Sequence, residues 1–413
     1  MVKTNIQWLP EIPDGWRVLR GKFVFSRLNR PVRPGDEVVT CFRDGTVTLR
    51  RNRREDGFTL SDKEYGYQGV EPGDLVVHGM DGFAGSIGIS DSRGKATPVL
   101  NVLDSPHNKR YLMYYFRTLA NENVFLAMST GIRVRTCDTS WKKLSNLPIL
   151  LPPSDEQKRI ADFLDDRIGK IDALIENEKV RDVHLKETDA SLIRDVVFNG
   201  MTIPSNIAWF PKCPKEWRLT PIKRIFDIFS GATPKSDNPG FWDGTICWIT
   251  PSDFKNHEKT IDGSERTITE EGYDSCGTHL VPKGSIIFTK RAPIGNVRLA
   301  GMRCCTNQGC LSCVPKQGVY SDFFYYIFVM LEEQFNLYGR GTTFREISFD
   351  DFANFLVPLP PLDVQRSLGE KLDILFGIKA NTVVLLEQKI DRLNNYKKSL
   401  IYEYVTGKRR LPS

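Results

Sequence analysis

The sequence predicts an α+β fold: two globular mixed α/β domains separated by two long antiparallel helices that form a coiled coil, with internal pseudo-twofold symmetry. Three observations carry this prediction. The chain repeats its own frame, each copy changes from strand-like to helical patterning at a double proline, and the two helical parts carry one apolar seam in the same register.

The frame opens with IQWLPEIPDGWRV, Ile6 to Val18, echoed by IAWFPKCPKEWRL, Ile207 to Leu219, at an offset of 217 − 16 = 201. It closes with PILLPPSDEQKRIADFL, Pro148 to Leu164, echoed by LVPLPPLDVQRSLGEKL, Leu356 to Leu372, at an offset of 360 − 152 = 208. Between these landmarks the copies diverge, keeping scattered echoes such as Pro72-Gly73-Asp74-Leu75 beside Pro282-Lys283-Gly284-Ser285-Ile286. Residues before each double proline form short apolar runs broken by Gly and Pro, the pattern of strands and loops. The expected divisions are therefore 1–153 and 201–361 for the globular domains, and 154–200 and 362–413 for the helices.

After each double proline a helix is expected, with Ser154 or Asp155 and Asp363 as N-caps and Gly200 and Gly407 as left-handed C-terminal caps. Positions 164, 168, 171, 175, 178, 182, 185, 189, 192 and 196 follow a 4,3 spacing, and seven of the ten are apolar. Adding 208 gives 372 to 404, of which eight of ten are apolar. A continuous helix over Asp155–Phe198, 44 residues, would be about 66 Å long at 1.5 Å per residue. Antiparallel pairing with full overlap sets opposite residues at numbers summing to 164 + 404 = 568, so Asp189 faces Lys379. That polar pair either fixes the register of the helices or snorkels to solvent at the seam's edge.

Composition is that of a folded protein: 413 residues, 40% hydrophobic and 26% charged, which excludes wholesale disorder and collagen-like structure. No stretch approaches the roughly 20 apolar residues of a bilayer span, and Met1–Pro10 lacks a signal-peptide pattern, so a cytoplasmic location is expected. Nine irregularly spaced cysteines fit reduced thiols. The net charge of +6 is unevenly divided: 154–200 holds 8 basic against 12 acidic residues, and 362–413 holds 10 against 6.

Catalytic signatures are largely absent. There is no GxxxxGK[ST] loop, no HExxH and no Asn/Asp-Pro-Pro-aromatic motif. Asp253-Phe254-Lys255 is half of a nuclease motif at most. Cys304-Cys305 with Cys310-x-x-Cys313 lacks the paired ligand clusters of a structural zinc site, and buried thiols are expected there. No catalytic residue, metal ligand or cofactor is assigned to the chain.

Two variable domains, each led by a Trp segment (Gly15-Trp16, Glu216-Trp217) and followed by Leu151-Pro152-Pro153-Ser154-Asp155-Glu156-Gln157 or Leu359-Pro360-Pro361-Leu362-Asp363-Val364-Gln365, resemble the specificity subunit (HsdS) of Type I restriction-modification systems. Val364 departs from the family's usual acidic residue before Gln. The resemblance covers essentially the whole chain. It implies a non-catalytic DNA-binding subunit whose two target-recognition domains each read half of a split double-stranded DNA target, while the helices set the unread spacer. It also implies partners: two methyltransferase (HsdM) subunits that methylate adenine N6, and restriction (HsdR) subunits, with S-adenosylmethionine, ATP and Mg on those partners. The alternatives are a coiled-coil scaffold with protein-binding domains and a metal-dependent nuclease.

Candidate DNA contacts follow from residue chemistry. Arg50, Arg51, Arg53 and Arg54 crowd together and suit phosphates or guanine edges, or form a solvated loop. Lys290, Arg291 and Asn296 follow the strand-like Ile286-Ile287-Phe288, in a region that resembles a DNA-facing segment of the family, or they form a surface turn. The corresponding loop Val77–Gly82 lacks the basic pair, so the domains are expected to read different bases. Arg135 and Arg345 end a shared Gly-x-x-x-Arg and either contact DNA or close their domains by an internal salt bridge. Gln308 suits adenine, or a turn.

Overall fold

The computed structural model describes all residues except 54–64, 128–138, 200–203, 208, 213, 215, 256–257, 342–344 and 412–413. It divides into two compact units, Met1–Lys179 with Gln388–Ser413, and Val180–Glu387. Each holds one globular domain and a segment of each long helix.

Both units build the repeated frame in the same way. Strand Arg17–Arg20 pairs antiparallel with Pro148–Leu151, and Arg218–Pro221 pairs likewise with Leu356–Leu359. The sequence offsets of 201 and 208 map one pair onto the other residue by residue, since 17 + 201 = 218 and 148 + 208 = 356. The lead turns match too: Trp16 N–H donates to the Pro13 carbonyl at 3.2 Å and Trp217 N–H to that of Pro214 at 3.1 Å. Each strand pair joins the start of its domain to the residue before the double proline, so the long helix leaves from a closed base.

The interiors share more than their sequences suggest. In the first unit a sheet runs in the order Ser26–Arg27, Leu100–Asp104, Leu75–His78, Ile87–Ile89. In the second the order is Phe226–Ser230, Cys310–Pro315, Ile286–Thr289, Val297–Ala300, with Thr260–Ile261 added in parallel at the edge. The echo at Pro72 and Pro282 is the turn into the matching strand of each sheet. Its glycines take the left-handed conformation that turn requires, φ 87° at Gly73 and 84° at Gly284. A second, three-stranded sheet, Thr267–Ile268, Trp242–Ile249, Cys304–Thr306, belongs to the second unit.

A helix closes each sheet, Lys109–Asn121 in the first unit and Ser321–Met330 in the second, burying Tyr111, Tyr115 and Phe116 or Phe323, Phe324 and Phe328. These rings continue into the long helices: Leu164, Ile168, Ile171, Ile175, Leu400 and Tyr404 share the first unit's core, and Ile193, Val197 and Leu372 share the second's.

The first long helix spans Ser154–Glu187 and the second Leu362–Val405. The N-caps differ from expectation. Gln157 N–H donates to the Pro153 carbonyl at 2.9 Å and Gln365 N–H to that of Pro361 at 3.0 Å, so the prolines hold the cap position. Asp155 and Asp363 lie inside the first turn, where a carboxylate complements the positive end of the helix. Gly407 is left-handed at φ 70°, as expected of a C-terminal cap, and Gly200 lies outside the described residues.

Within each unit the helices pair antiparallel in the anticipated register. Ion pairs join Asp172 to Lys397 and Glu178 to Lys389 in the first unit, and Asp189 to Lys379 in the second. Their numbers sum to 172 + 397 = 569, 178 + 389 = 567 and 189 + 379 = 568. All twenty seam positions are buried or half-buried. Every acid in these pairs stands on the first segment and every lysine on the second, which is the local meaning of their opposite charge balance.

The continuous helix expected over Asp155–Phe198 is interrupted. It stops at Glu187, and a second helix, Asp189–Phe198, begins after Thr188, whose ψ of 8° leaves the helical range. Thr188 Oγ1 donates to the Leu185 carbonyl at 3.1 Å, a side-chain bond that competes with the helical ladder. In the second helix segment Ile193 and Val197 are buried in the domain core while the seam positions Leu192 and Val196 are half-buried, and Ile401 and Val405 of the unbroken second helix are buried in the first unit's core in the same way. Among the described residues no helix is long and apolar enough to cross a membrane.

Candidate nucleic-acid interface

The glutamine of each double-proline motif ties domain to helix. Gln157, 1% exposed, accepts the Asn108 N–H at 3.1 Å through Oε1 and donates through Nε2 to the Pro152 carbonyl at 2.8 Å. Gln365, equally buried, accepts the Tyr320 N–H at 2.9 Å and donates to the Pro360 carbonyl at 2.8 Å. Asn108 and Tyr320 are the N-cap residues of the two sheet-covering helices. One amide, with a donor and an acceptor at opposite ends, therefore fixes two helix starts against each other.

A second clasp lies about two turns along. Tyr114 Oη donates to Asp165 Oδ1 at 2.8 Å, and Tyr326 Oη to Asp373 Oδ1 at 2.7 Å. Arg110 completes the first cluster by pairing with Asp162 and Asp165, and Lys259 completes the second by pairing with Asp322 and Asp373. The aspartates repeat at 165 + 208 = 373, but the cation arrives from a different element, which no local pattern reveals. Where the motif departs, so does the contact: Trp16 Nε1 donates to Glu156 at 3.0 Å, whereas Val364 offers no acceptor and Trp217 packs on the Phe198 ring at 6.0 Å.

With the domains anchored in this way, the predicted contact residues fall at several places. Arg50 starts a single 3₁₀ turn, Arg50–Asn52, its Nε reaching Thr40 Oγ1 at 3.4 Å. Arg51 pairs with Glu37 at 2.6 Å and Arg53 with Asp44 at 2.5 Å, the latter guanidinium lying 4.6 Å over the Phe42 ring. Burial works against ionisation of Asp44, but hydrogen bonds from Arg53 and Thr46 hold its carboxyl below the usual range. Arg54 and Arg135 lie outside the described residues. The pairing is general in this domain: Arg30 pairs with Asp74, Arg43 with Asp81, and Arg93 with Asp36 and Glu71.

In the second domain, Lys290 and Arg291 do not both emerge into solvent. The Lys290 side chain is 14% exposed and meets Glu346 at 2.8 Å, and Arg291 reaches the same carboxylate at 3.4 Å. Asn296 is half-buried at the base of the turn, where Thr289 N–H donates to its carbonyl at 2.9 Å. The turn after the matching first-domain strand is held by a different residue: His78 Nδ1 accepts the Met80 and Asp81 N–H groups at 3.2 and 3.0 Å. Burial lowers the His78 pKa. Arg345 donates to the Asn336 and Gly339 carbonyls at 3.0 and 3.4 Å, at the C-terminal end of the helix Glu332–Leu337. Its internal partners are thus carbonyls rather than a carboxylate. Gln308 is exposed at the turn between Cys304–Thr306 and Cys310–Pro315 and accepts from Thr233 Oγ1.

Arg291 is brought to an open cleft of about 530 Å³ that also holds Trp248, Thr250, Asp253, Arg266 and Asn307. No sequence motif singles out Arg266 in this cleft. Its guanidinium lies 3.6 Å over the Trp242 ring. A Trp-rich strand beside a later arginine is a weak signal on its own, because strand order decides what faces the ring.

The other expectations resolve into structural roles. Asp253 Oδ2 accepts Thr250 N–H at 2.8 Å and its Oδ1 accepts Glu265 N–H at 2.7 Å, so the half-motif is a loop brace, and Lys255 pairs with Glu265 at 2.7 Å. Cys304 and Cys310 face one core, Cys313 a second and Cys305 a third. Burial pushes the Cys304 and Cys305 thiols up to about 12. Among the described residues no group of three or more His, Cys, Asp or Glu is placed to hold a metal ion.

A family model described as the Type I restriction modification DNA specificity domain matches residues 64–181 and again 214–395. The MjaIX Type I restriction enzyme specificity subunit of Methanocaldococcus jannaschii is 33% identical over 192 residues, an alignment taking in 45% of this chain and 44% of that one. Among solved structures, a chain described under complex assembly and conformational transition of the type I R-M system superposes with a TM-score of 0.75 at 16% identity, over 97% of this chain and 100% of that one. The HsdS subunit from Thermoanaerobacter tengcongensis gives a TM-score of 0.60 at 17% identity, over 99% and 100%. These likenesses show a shared fold over nearly the whole chain. The two family matches fall one in each copy of the duplicated frame, and the chain belongs to the family of Type I restriction modification DNA specificity domains.

Proposed function

We propose that this chain is the DNA-recognition subunit of a Type I restriction-modification complex, reading a bipartite duplex target with one half-site per domain. The observation that carries the reading is the duplication itself: one strand pair, one glutamine clasp and one helix origin occur twice around interiors whose exposed turns differ. A shared frame repeats the placement of a reader, and different turns at the ends of matching strands change what is read. Direct readout requires a few side chains at base edges, while phosphate contacts supply most of the affinity.

In this reading the paired helices set the unread spacer and offer two methyltransferase subunits equivalent docking surfaces, and restriction subunits join for cleavage. Adenine N6 methylation, with S-adenosylmethionine, ATP and Mg, belongs to those partners, and this chain carries no cofactor and no catalytic residue. The system operates in the cytoplasm. Asp189 and Lys379 help fix helix register.

Gln308 and Arg291, at an exposed turn and an open cleft, suit base contacts in the second domain. Lys290 orients Glu346 and thereby Arg291. Arg50, Arg51 and Arg53, with Arg54 and Arg135 beyond the described residues, serve phosphates in the first domain. Exposed ion pairs such as Arg51–Glu37 are worth at most about 1 kcal/mol and open readily to a polyanion. Asn296 and Arg345 hold the turns that present these groups.

Co-expression with a methyltransferase subunit of the same system, followed by mapping of methylated adenines, tests the proposal. A bipartite motif with a fixed spacer is expected, with no methylation from the chain alone. Replacing residues 205–360 with those of a related subunit should change one half-site only. A change in both halves would overturn modular reading.

A further inference from the structure

At the second domain's cleft the fold commits most polar side chains to one another. The Asp253 carboxylate accepts from Thr250 and Glu265, Glu265 pairs with Lys255, and Arg291 shares Glu346 with Lys290. Arg266 is different. Among the described residues its guanidinium makes no ion pair or hydrogen bond, although the residue is exposed and lines the cleft.

What holds Arg266 is an aromatic floor. Its guanidinium lies 3.6 Å above the Trp242 ring and 5.9 Å from that of Trp248. The two indoles are 7% and 4% exposed and meet edge to face at 5.1 Å. Their orientation is fixed because both ring N–H groups are bonded, Trp242 Nε1 to the Lys235 carbonyl at 3.3 Å and Trp248 Nε1 to that of Ala232 at 2.9 Å. Stacking uses one face of the guanidinium and leaves its in-plane N–H fork available, with little rotamer freedom left to lose on binding.

We propose that Arg266 reads a guanine of the second domain's half-site, donating two hydrogen bonds to the O6 and N7 acceptors of its major-groove edge. This inference rests on the DNA-recognition role proposed above. A planar fork held in one plane matches two in-plane acceptors, whereas a phosphate asks mainly for charge and tolerates a mobile side chain. Asp253 and Glu265 line the cleft beside Arg266 but are bound to Thr250, Lys255 and the Glu265 backbone, so neither takes up the Arg266 fork.

The test uses the chain in complex with its methyltransferase subunits. The methylated motif of the wild-type complex is mapped first, and absence of any bipartite motif would sink the recognition role itself rather than this inference. Given a motif, Arg266→Lys should relax one G·C position of the second half-site by about tenfold to a hundredfold in discrimination, leaving the first half-site unchanged. An unchanged motif would overturn the assignment, as would uniform weakening across all positions, which is the mark of a phosphate contact. The wild-type complex also provides a test that does not depend on a variant folding. Binding to duplexes carrying 7-deazaguanine, which lacks the N7 acceptor, should weaken at one guanine of that half-site, and insensitivity at every guanine there would refute the proposal.

Discussion

At the scale of single residues, the motif glutamine carries more of the architecture than its exposed neighbours. Gln157, itself buried, bonds the half-buried Asn108 amide and the Pro152 carbonyl at the joint between a domain and its helix. Gln157→Ala should destabilise the first unit by about 1–3 kcal/mol, the cost of leaving buried polar groups unpaired. The lowered midpoint in urea unfolding of the full chain measures this, and a change within about 0.5 kcal/mol would show that the clasp is not needed. The glutamine was legible in the sequence as a repeated letter. Its partners were not, because Asn108 lies 49 residues away and Tyr320 lies 45 away from Gln365. The arginines show the converse. Arg50, Arg51 and Arg53 read as a free basic cluster, yet each has a partner within its own domain, supplied by segments that only folding brings near.

At the scale of elements, each long helix divides its far end between the seam and a domain core. A strict heptad assigns Leu192 and Val196 to the seam, but the neighbouring Ile193 and Val197 are the fully buried pair because they enter the second domain's core, as Ile401 and Val405 of the unbroken second helix enter the first's. Ile193→Ala should therefore cost about 2–4 kcal/mol and Leu192→Ala clearly less. Thermal or urea unfolding of both variants decides it, and the reverse order would mean that the seam rather than the domain core holds this end of the helix. The polar pair is a finer device. Asp189→Lys and Lys379→Asp each set like charges together, and the double variant restores an opposite pair. A double-mutant cycle should give a coupling of about 0.5–1 kcal/mol, the range of a partly exposed ion pair. Zero coupling would remove Asp189 and Lys379 from any role in register. The pair itself was predictable from the 568 sum. Glu178–Lys389 and Asp172–Lys397 were not, since each joins a seam residue to a lysine or aspartate one place off the seam.

At the scale of the molecule, the proposed function requires two readers at a set separation, and the long helices are the elements proposed to set it. The second long helix is 44 residues without interruption, about 66 Å at 1.5 Å per residue. Removing four residues from it and four from the first shortens each by about 6 Å, close to one turn, and keeps the seam nearly in phase. In the co-expressed complex this deletion should shorten the unread spacer of the methylated motif and leave both half-sites intact. A motif with its original spacer would show that something other than helix length sets the separation.

The duplication, the change of periodicity at Pro153 and Pro361, the antiparallel register and the family resemblance are all local or periodic properties, and the sequence by itself determined them. Repetition and period survive in one dimension. Tertiary structure alone decided which carboxylate meets which guanidinium, where the first helix breaks, that the diverged interiors share a sheet order, and that Arg266 lies on Trp242 with its fork open. Those depend on distances between segments far apart in the chain, where one acidic residue is like another until the fold chooses between them.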